Sequence, residues 1–174
     1  QAPEFSEPET VPLRRLFQIS PLAFVGMGLQ GFAASMIFGM GAVFANIIGM
    51  TNQQGSIFLA SFTIANVVMQ YPIGRMSDRF DRRLVILIVA SISALAAAIA
   101  SIVGLSNYWT LLGLTAIFGG FSMTIYSLCI AHANDYLSPS QMVGTASALI
   151  TVNGIGAIFG PPIIAALVDL FGSY

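Results

Sequence analysis

Pro72-Ile73-Gly74-Arg75-Met76-Ser77-Asp78-Arg79-Phe80-Asp81-Arg82-Arg83 holds four of the six basic residues of this 174-residue chain. The segment lies between two long apolar runs, Gly55 to Ile73 and Leu84 to Leu105. A short charged hinge between runs of that length reads as a loop at a membrane surface. Gly74 lets two helices approach closely, or lets the backbone turn. Asp78 can face a neighbouring helix N-terminus, where unpaired N–H groups and the helix dipole favour an anion, or it can pair with an arginine. Arg79, Arg82 and Arg83 suit an anionic cytoplasmic surface.

Composition supports the membrane reading. Hydrophobic residues make up 56% of the chain and charged residues only 7%, with a mean hydropathy of +0.86. Soluble domains carry about 25% charged residues, so this chain cannot cover a water-facing surface. Lysine is absent and the net charge is −1, which leaves no basic patch for nucleic acid. The one cysteine, Cys129, excludes an intrachain disulfide and a multi-cysteine metal site. There is no paired-carboxylate, nucleophile–base or metal-ligand spacing within the apolar runs, so neither an enzyme nor a cofactor or metal site is expected. His132 stands alone near a helix end, where capping or an interfacial position is its ordinary role.

Five apolar segments approach the roughly 20 residues that span a bilayer as a helix. They are placed at Pro21–Gly49, Gly55–Gly74, Leu84–Leu105, Trp109–Ala131 and Val143–Val168. Ahead of them, the Pro/Glu-rich Gln1–Val11 reads as a polar linker, and Pro12–Ser20 with Arg14 and Arg15 as a short interfacial helix. The arginines all fall on one side of the resulting topology, which predicts that this side is cytoplasmic. Gly119-Gly120 is expected to interrupt the fourth segment. In the fifth, Gly156 and Gly160 form Gly-x-x-x-Gly, which permits close helix contact, and Pro161-Pro162 removes two backbone donors and predicts a kink.

The opening stretch also resembles a known signature. Gly-x-x-x-Asp-Arg-x-x-Arg-Arg is similar to the loop motif of the major facilitator superfamily, Gly-x-Leu-Ala-Asp-Arg-x-Gly-Arg-Lys. Gly74, Asp78, Arg79, Arg82 and Arg83 match it, Met76 and Ser77 stand for Leu and Ala, and Asp81 replaces the second glycine. Gln70–Arg75, Ile125-Tyr126-Ser127, Ala131–Asp135, Gln141-Met142-Val143 and Gly154–Pro161 together resemble the second half of a bacterial facilitator of the YcaD-like branch. Gly156–Pro162 resembles a Gly-x-x-x-Gly-Pro gating element, which would make Gly156, Gly160, Pro161 and Pro162 a helix hinge.

The resemblance implies an all-α polytopic bundle, five transmembrane helices of a six-helix half. Residues 1–20 would link two halves and residues 21–174 would form helices seven to eleven, with the first half and helix twelve outside this chain. It implies a secondary transporter of a small solute in the bacterial inner membrane, with the lipid bilayer, the other half and the solute as its partners. On that reading the mid-span polar residues Gln30, Asn66, Ser122, Thr124, Tyr126 and Asn153 are the cavity candidates, each weighed against a plain helix–helix hydrogen bond. The loop residues Gly74, Asp78, Arg79, Arg82 and Arg83 would control the conformational change. A non-transporting membrane scaffold or receptor subunit is the alternative, and such a protein has no use for the loop signature.

Overall fold

A computed structural model of the protein describes residues 12–103 and 107–171. The polar leader Gln1–Val11, expected to be a linker, lies outside the described residues. The described chain forms seven helices: α1 Leu13–Ile19, α2 Pro21–Ile47, α3 Asn52–Ser77, α4 Arg82–Val103, α5 Tyr108–Ser122, α6 Thr124–Asn134 and α7 Pro139–Phe171. Among the described residues there is no strand. Five spans are long and apolar enough to cross a membrane: α2, α3, α4, α5 with α6, and α7 as far as Leu167. The fold is the all-α polytopic bundle expected from the sequence.

Local chemistry sets the helix ends. Ser20 accepts from the Ala23 N–H at 3.3 Å, and Pro21 occupies the first helical position of α2. The far end of α2 closes on Gly49 with φ +77. There the Met50 N–H bonds the Ala45 carbonyl and the Gly49 N–H bonds that of Asn46, a left-handed glycine cap. α3 starts at Asn52, three residues ahead of the expected Gly55. The cause is a capping box, in which Thr51 and Gln54 exchange side-chain and backbone hydrogen bonds at 3.2 and 2.9 Å. Asn107 caps α5 through the Trp109 N–H at 2.8 Å.

Two seams hold the bundle. Along the first, α2 and α7 touch backbone to backbone. A methyl group added at Gly31 would strike the Asn153 carbonyl, and one at Gly156 the Gly28 carbonyl. Small residues are what permit such contact where lipid supplies no hydrophobic drive between helices. Along the second, Gly119 and Gly120 of α5 lie against Phe62 and Ala65 of α3. Short α1 is more than a surface helix: Leu16 is completely buried with Ala23, Met27, Cys129 and Leu149. Outward-facing Leu87, Leu95 and Ile102 of α4 are exposed in the way a lipid-solvated helix requires.

The fourth span is not interrupted at Gly119-Gly120. α5 runs straight through the glycine pair, because α3 packs on it, and ends at Ser122. At Met123 the helix only tightens: the backbone stays helical at φ −69 and ψ −30, and the Met123 N–H still reaches the Gly119 carbonyl at 3.2 Å, while the Tyr126 N–H reaches back three residues to the Met123 carbonyl, at 3.3 Å. Thr124 donates to the Phe121 carbonyl at 2.7 Å and Ser127 to the Thr124 carbonyl at 3.0 Å, so hydroxyls bond carbonyls along the tightened turn. α7, by contrast, continues as one helix through Pro161-Pro162. Those prolines leave the carbonyls of Ala157 and Ile158 without their usual helical donors.

Candidate functional site

The tightened turn at Met123 meets Gln30, which is joined to a second amide, Asn153. Gln30 on α2 donates through Nε2 to the Met123 sulfur at 3.6 Å. Asn153 on α7 donates through Nδ2 to Gln30 Oε1 at 2.5 Å and to the Met27 carbonyl at 3.0 Å. Gln30 lies nine residues into α2, so at 1.5 Å per residue it sits roughly 14 Å below that helix end, about half of a 30 Å hydrocarbon core. Asn153 can reach Gln30 because its own backbone carbonyl abuts Gly31. The seam's close approach and its polar pair therefore have one cause.

Of the six cavity candidates, Gln30 and Asn153 are joined directly, while Ser122 and Thr124 flank the methionine that Gln30 touches. Ser122 Oγ is buried with no hydrogen-bond partner among the described residues. The Thr124 hydroxyl is committed to the Phe121 carbonyl. Tyr126 packs against the Leu16–Met27 cluster. Asn66 is half-buried on α3, and neither it nor Tyr126 makes a side-chain hydrogen bond among the described residues. Asn153 Oδ1 and one Nε2 hydrogen of Gln30 are left over from the contacts above, so the site offers one acceptor and one donor beside the buried Ser122 oxygen. Met123 is the member that sequence reasoning missed, since a methionine in an apolar run carries no polar signal.

At the basic end, the α3–α4 hinge is tied to the α6–α7 hinge. Asp81 accepts from the Arg83 N–H at 2.9 Å and caps α4, which gives a role to the residue standing in for the signature's second glycine. Asp78 follows the last residue of α3 and pairs with Arg82 at 3.4 Å. The same Arg82 reaches Asp135, just past α6, at 3.4 Å. Arg83 donates to the Tyr136 hydroxyl at 2.7 Å, with its guanidinium 5.8 Å from that ring's centre. Tyr136 in turn meets the buried His132 edge to face. Asp78 is thus held by Arg82, the second of the two arrangements open to it. Asp135 and Tyr136 were not legible as partners, although Asp135 is the one acid in the following basic-end turn. Arg79 is exposed, and its side chain has no polar partner among the described residues. Gly74 has nothing within 4 Å of where a Cβ would stand, so its lack of a side chain is not used inside this bundle.

Gly156 and Gly160 face α2: a Cβ on Gly160 would meet the Ser35 hydroxyl. Pro161 itself contacts α2 near Gly39, 3.1 Å from where a Cβ there would lie.

A bundle of five helices long and apolar enough to cross a membrane, with an ion-paired hinge at its basic end, defines a polytopic membrane protein. The family model of the Major Facilitator Superfamily matches residues 23–174, and the chain belongs to that family. Among curated proteins it is similar to the "Uncharacterized MFS-type transporter YcaD" of Escherichia fergusonii, with 25% identity over 144 residues, 83% of this chain and 36% of the relative. The protein of the same name in Escherichia coli O17:K52:H18 is 27% identical over 146 residues, 84% of this chain and 37% of the relative. The chain therefore spans little more than a third of the length of these relatives. No solved structure matches it.

Proposed function

We propose that this chain is part of a secondary transporter that moves a small solute across the bacterial inner membrane by alternating access. Residues 21–174 act as helices seven to eleven of a twelve-helix protein, residues 1–20 join its two halves, and the basic hinges face the cytoplasm. The observation that carries this reading is the mid-span Gln30–Asn153 pair beside the tightened turn at Met123. Facilitators bind solutes near the midplane, where interrupted helices and inward-facing polar groups supply hydrogen bonds. Gln30 and Asn153 contact the solute, with Ser122 as a further hydroxyl. Asn66, Thr124 and Tyr126 complete the candidate set on the remaining faces. The Asp78–Arg82–Asp135 bridge holds one conformation of the basic end and must loosen in the other, with Gly74, Arg79 and Arg83 in the same moving hinge. Gly156, Gly160, Pro161 and Pro162 let α7 flex where two backbone hydrogen bonds are missing. The protein works as a transporter and not as an enzyme.

The test uses proteoliposomes of the full-length protein and a panel of labelled small solutes. At least one solute is expected to cross faster than in empty vesicles, and Asn153→Leu is expected to cut that flux about tenfold at equal protein, the cost of stranding a buried polar partner. Asp78→Asn is expected to slow transport while leaving abundance unchanged. No flux with wild type, or full flux with Asn153→Leu, overturns the reading. Orientation is checked in a Cys129→Ser background in intact cells. An impermeant thiol reagent should label Asn52→Cys and spare Phe80→Cys, and the reverse pattern inverts the topology.

A further inference from the structure

His132 is 3% exposed, so the helices of this chain already enclose it and set its surroundings. It lies in the last turn of α6. Its ring meets that of Tyr136 at 5.3 Å between centroids and 88° between planes. The Tyr136 hydroxyl accepts from Arg83 at 2.7 Å, so His132, Tyr136 and Arg83 form one ladder from α6 to α4. Beside it runs a second tie between the same two elements, Arg82 to Asp135 at 3.4 Å. The His132 side chain makes no hydrogen bond among the described residues.

A neutral imidazole suits such burial, and a charged one does not. The charges that act on the ring are Arg83 and Arg82, and against them Asp135 and Asp81. Asp81 is already engaged, capping α4 through the Arg83 N–H at 2.9 Å. From α3, Arg75 is bonded to the Tyr71 hydroxyl at 3.0 Å and Asp78 is paired with Arg82, while Arg79 is exposed. Arg14 and Arg15 of α1 are exposed as well, and α2, α5 and α7 have no charged residue in the halves nearer this end. Asp135 is therefore the acid open to a protonated His132. It lies three residues further along, a spacing at which side chains on one helix meet. The carbonyl end of α6 also favours a cation in that turn.

We propose that His132 is a pH sensor that locks and releases the basic end: on protonation it takes Asp135 from Arg82 and repels Arg83 from Tyr136, so that both ties between α4 and the α6–α7 hinge loosen together. A neutral His132 leaves both ties closed. One residue can govern both because it adjoins the ring that holds Arg83 and precedes by one turn the acid that holds Arg82. The charge change falls in the range where histidine ordinarily titrates, between about pH 5 and pH 8. The hinge is the one that the transport reading makes movable, but its response to protons does not depend on any solute.

The experiment reads conformation alone, on the full-length protein in nanodiscs without solute. A cysteine-free background carries Ser138→Cys, tagged with a trifluoromethyl group and followed by fluorine NMR. At about pH 8 the locked signal is expected to dominate. At about pH 5.5 the released signal is expected to grow at least about fivefold, the lower end of coupling between linked sites. His132→Gln, which keeps a neutral polar side chain, is expected to give the same spectrum at both pH values. Asp135→Asn leaves no acid to exchange and is expected to show the released signal at both, which also assigns that signal should His132→Gln not yield folded protein. An unchanged wild-type spectrum across this range overturns the proposal. So does a wild-type response to pH from either variant. Absence of flux in the transport assay alongside this pH response would overturn the transport reading and leave the sensor standing.

Discussion

The two seams of this bundle use glycine for the same purpose and fill the space beside it differently. Where α2 meets α7, Gly28, Gly31 and Gly156 bring backbones into contact, and the amides of Gln30 and Asn153 join across the gap. Where α3 meets α5, Gly119 receives Phe62, whose ring packs against Phe38 on one side and Phe118 on the other. The aromatic seam's side-chain hydrogen bond lies at its far end, where the Tyr108 hydroxyl donates to the Gln54 carbonyl at 3.3 Å. The amide seam has its hydrogen bonds at mid-span, beside Met123. Close approach is common to both, and a mid-span pair of amides belongs to one alone.

Substitutions at the seams test this contrast. The largest effect is expected from Gly156→Leu, where the new side chain must displace the α2 backbone at Gly28. The loss is about 3 kcal/mol or more, at or beyond the top of the usual overpacking range, read as failure to recover monodisperse protein in detergent. Normal recovery would mean that α2 and α7 do not touch as described. Phe62→Ala comes next, with about 3 kcal/mol lost to the cavity beside Gly119, measured by unfolding in mixed micelles. Transport is expected to persist at temperatures where that variant is folded, and specific loss of transport would give the aromatic seam a functional share.

Smaller still is the coupling between Gln30 and Asn153. A double-mutant cycle with Gln30→Leu and Asn153→Leu should return about 0.6–1.7 kcal/mol in stability, the range of hydrogen bonds between membrane helices. A cycle that sums to zero would leave the amide pair as neighbours without interaction. The smallest effect is expected at Gly154, two residues from Gly156 but facing open space. Gly154→Ala should be neutral or stabilise by up to about 1 kcal/mol through helix propensity. A loss there as large as at Gly156 would show that α7 tolerates no side chain anywhere along this stretch, and the seam would not be one face.

Much of the fold was legible because membrane helices announce themselves by length and apolarity. The five spans, the one-sided arginines and the signature hinge all follow from local sequence. The capping box at Thr51-Gln54 was equally legible in its Thr-x-x-Gln spacing, and reading it would have started α3 where the structure does. The interruption expected at Gly119-Gly120 is absent for a physical reason. A glycine pair weakens a helix only when nothing braces it, and here Phe62 and Ala65 brace it from another helix. The tightened turn at Met123, next to a threonine whose hydroxyl takes over a carbonyl, carried no local warning.

The chain by itself determined the solvent in which this protein folds, the number of its spans and the family to which they belong, because 20-residue apolar runs and a Gly–Asp–Arg–Arg hinge act through nearest neighbours along the sequence. Only the tertiary structure decided which polar groups meet. Gln30 and Asn153 are 123 residues apart, and Arg83 and Tyr136 are 53 apart. A side-chain hydrogen bond works over about 3 Å, so its partner is chosen by how helices cross and rotate. For Gln30 and Asn153 that choice was made by the glycines that let α2 and α7 touch.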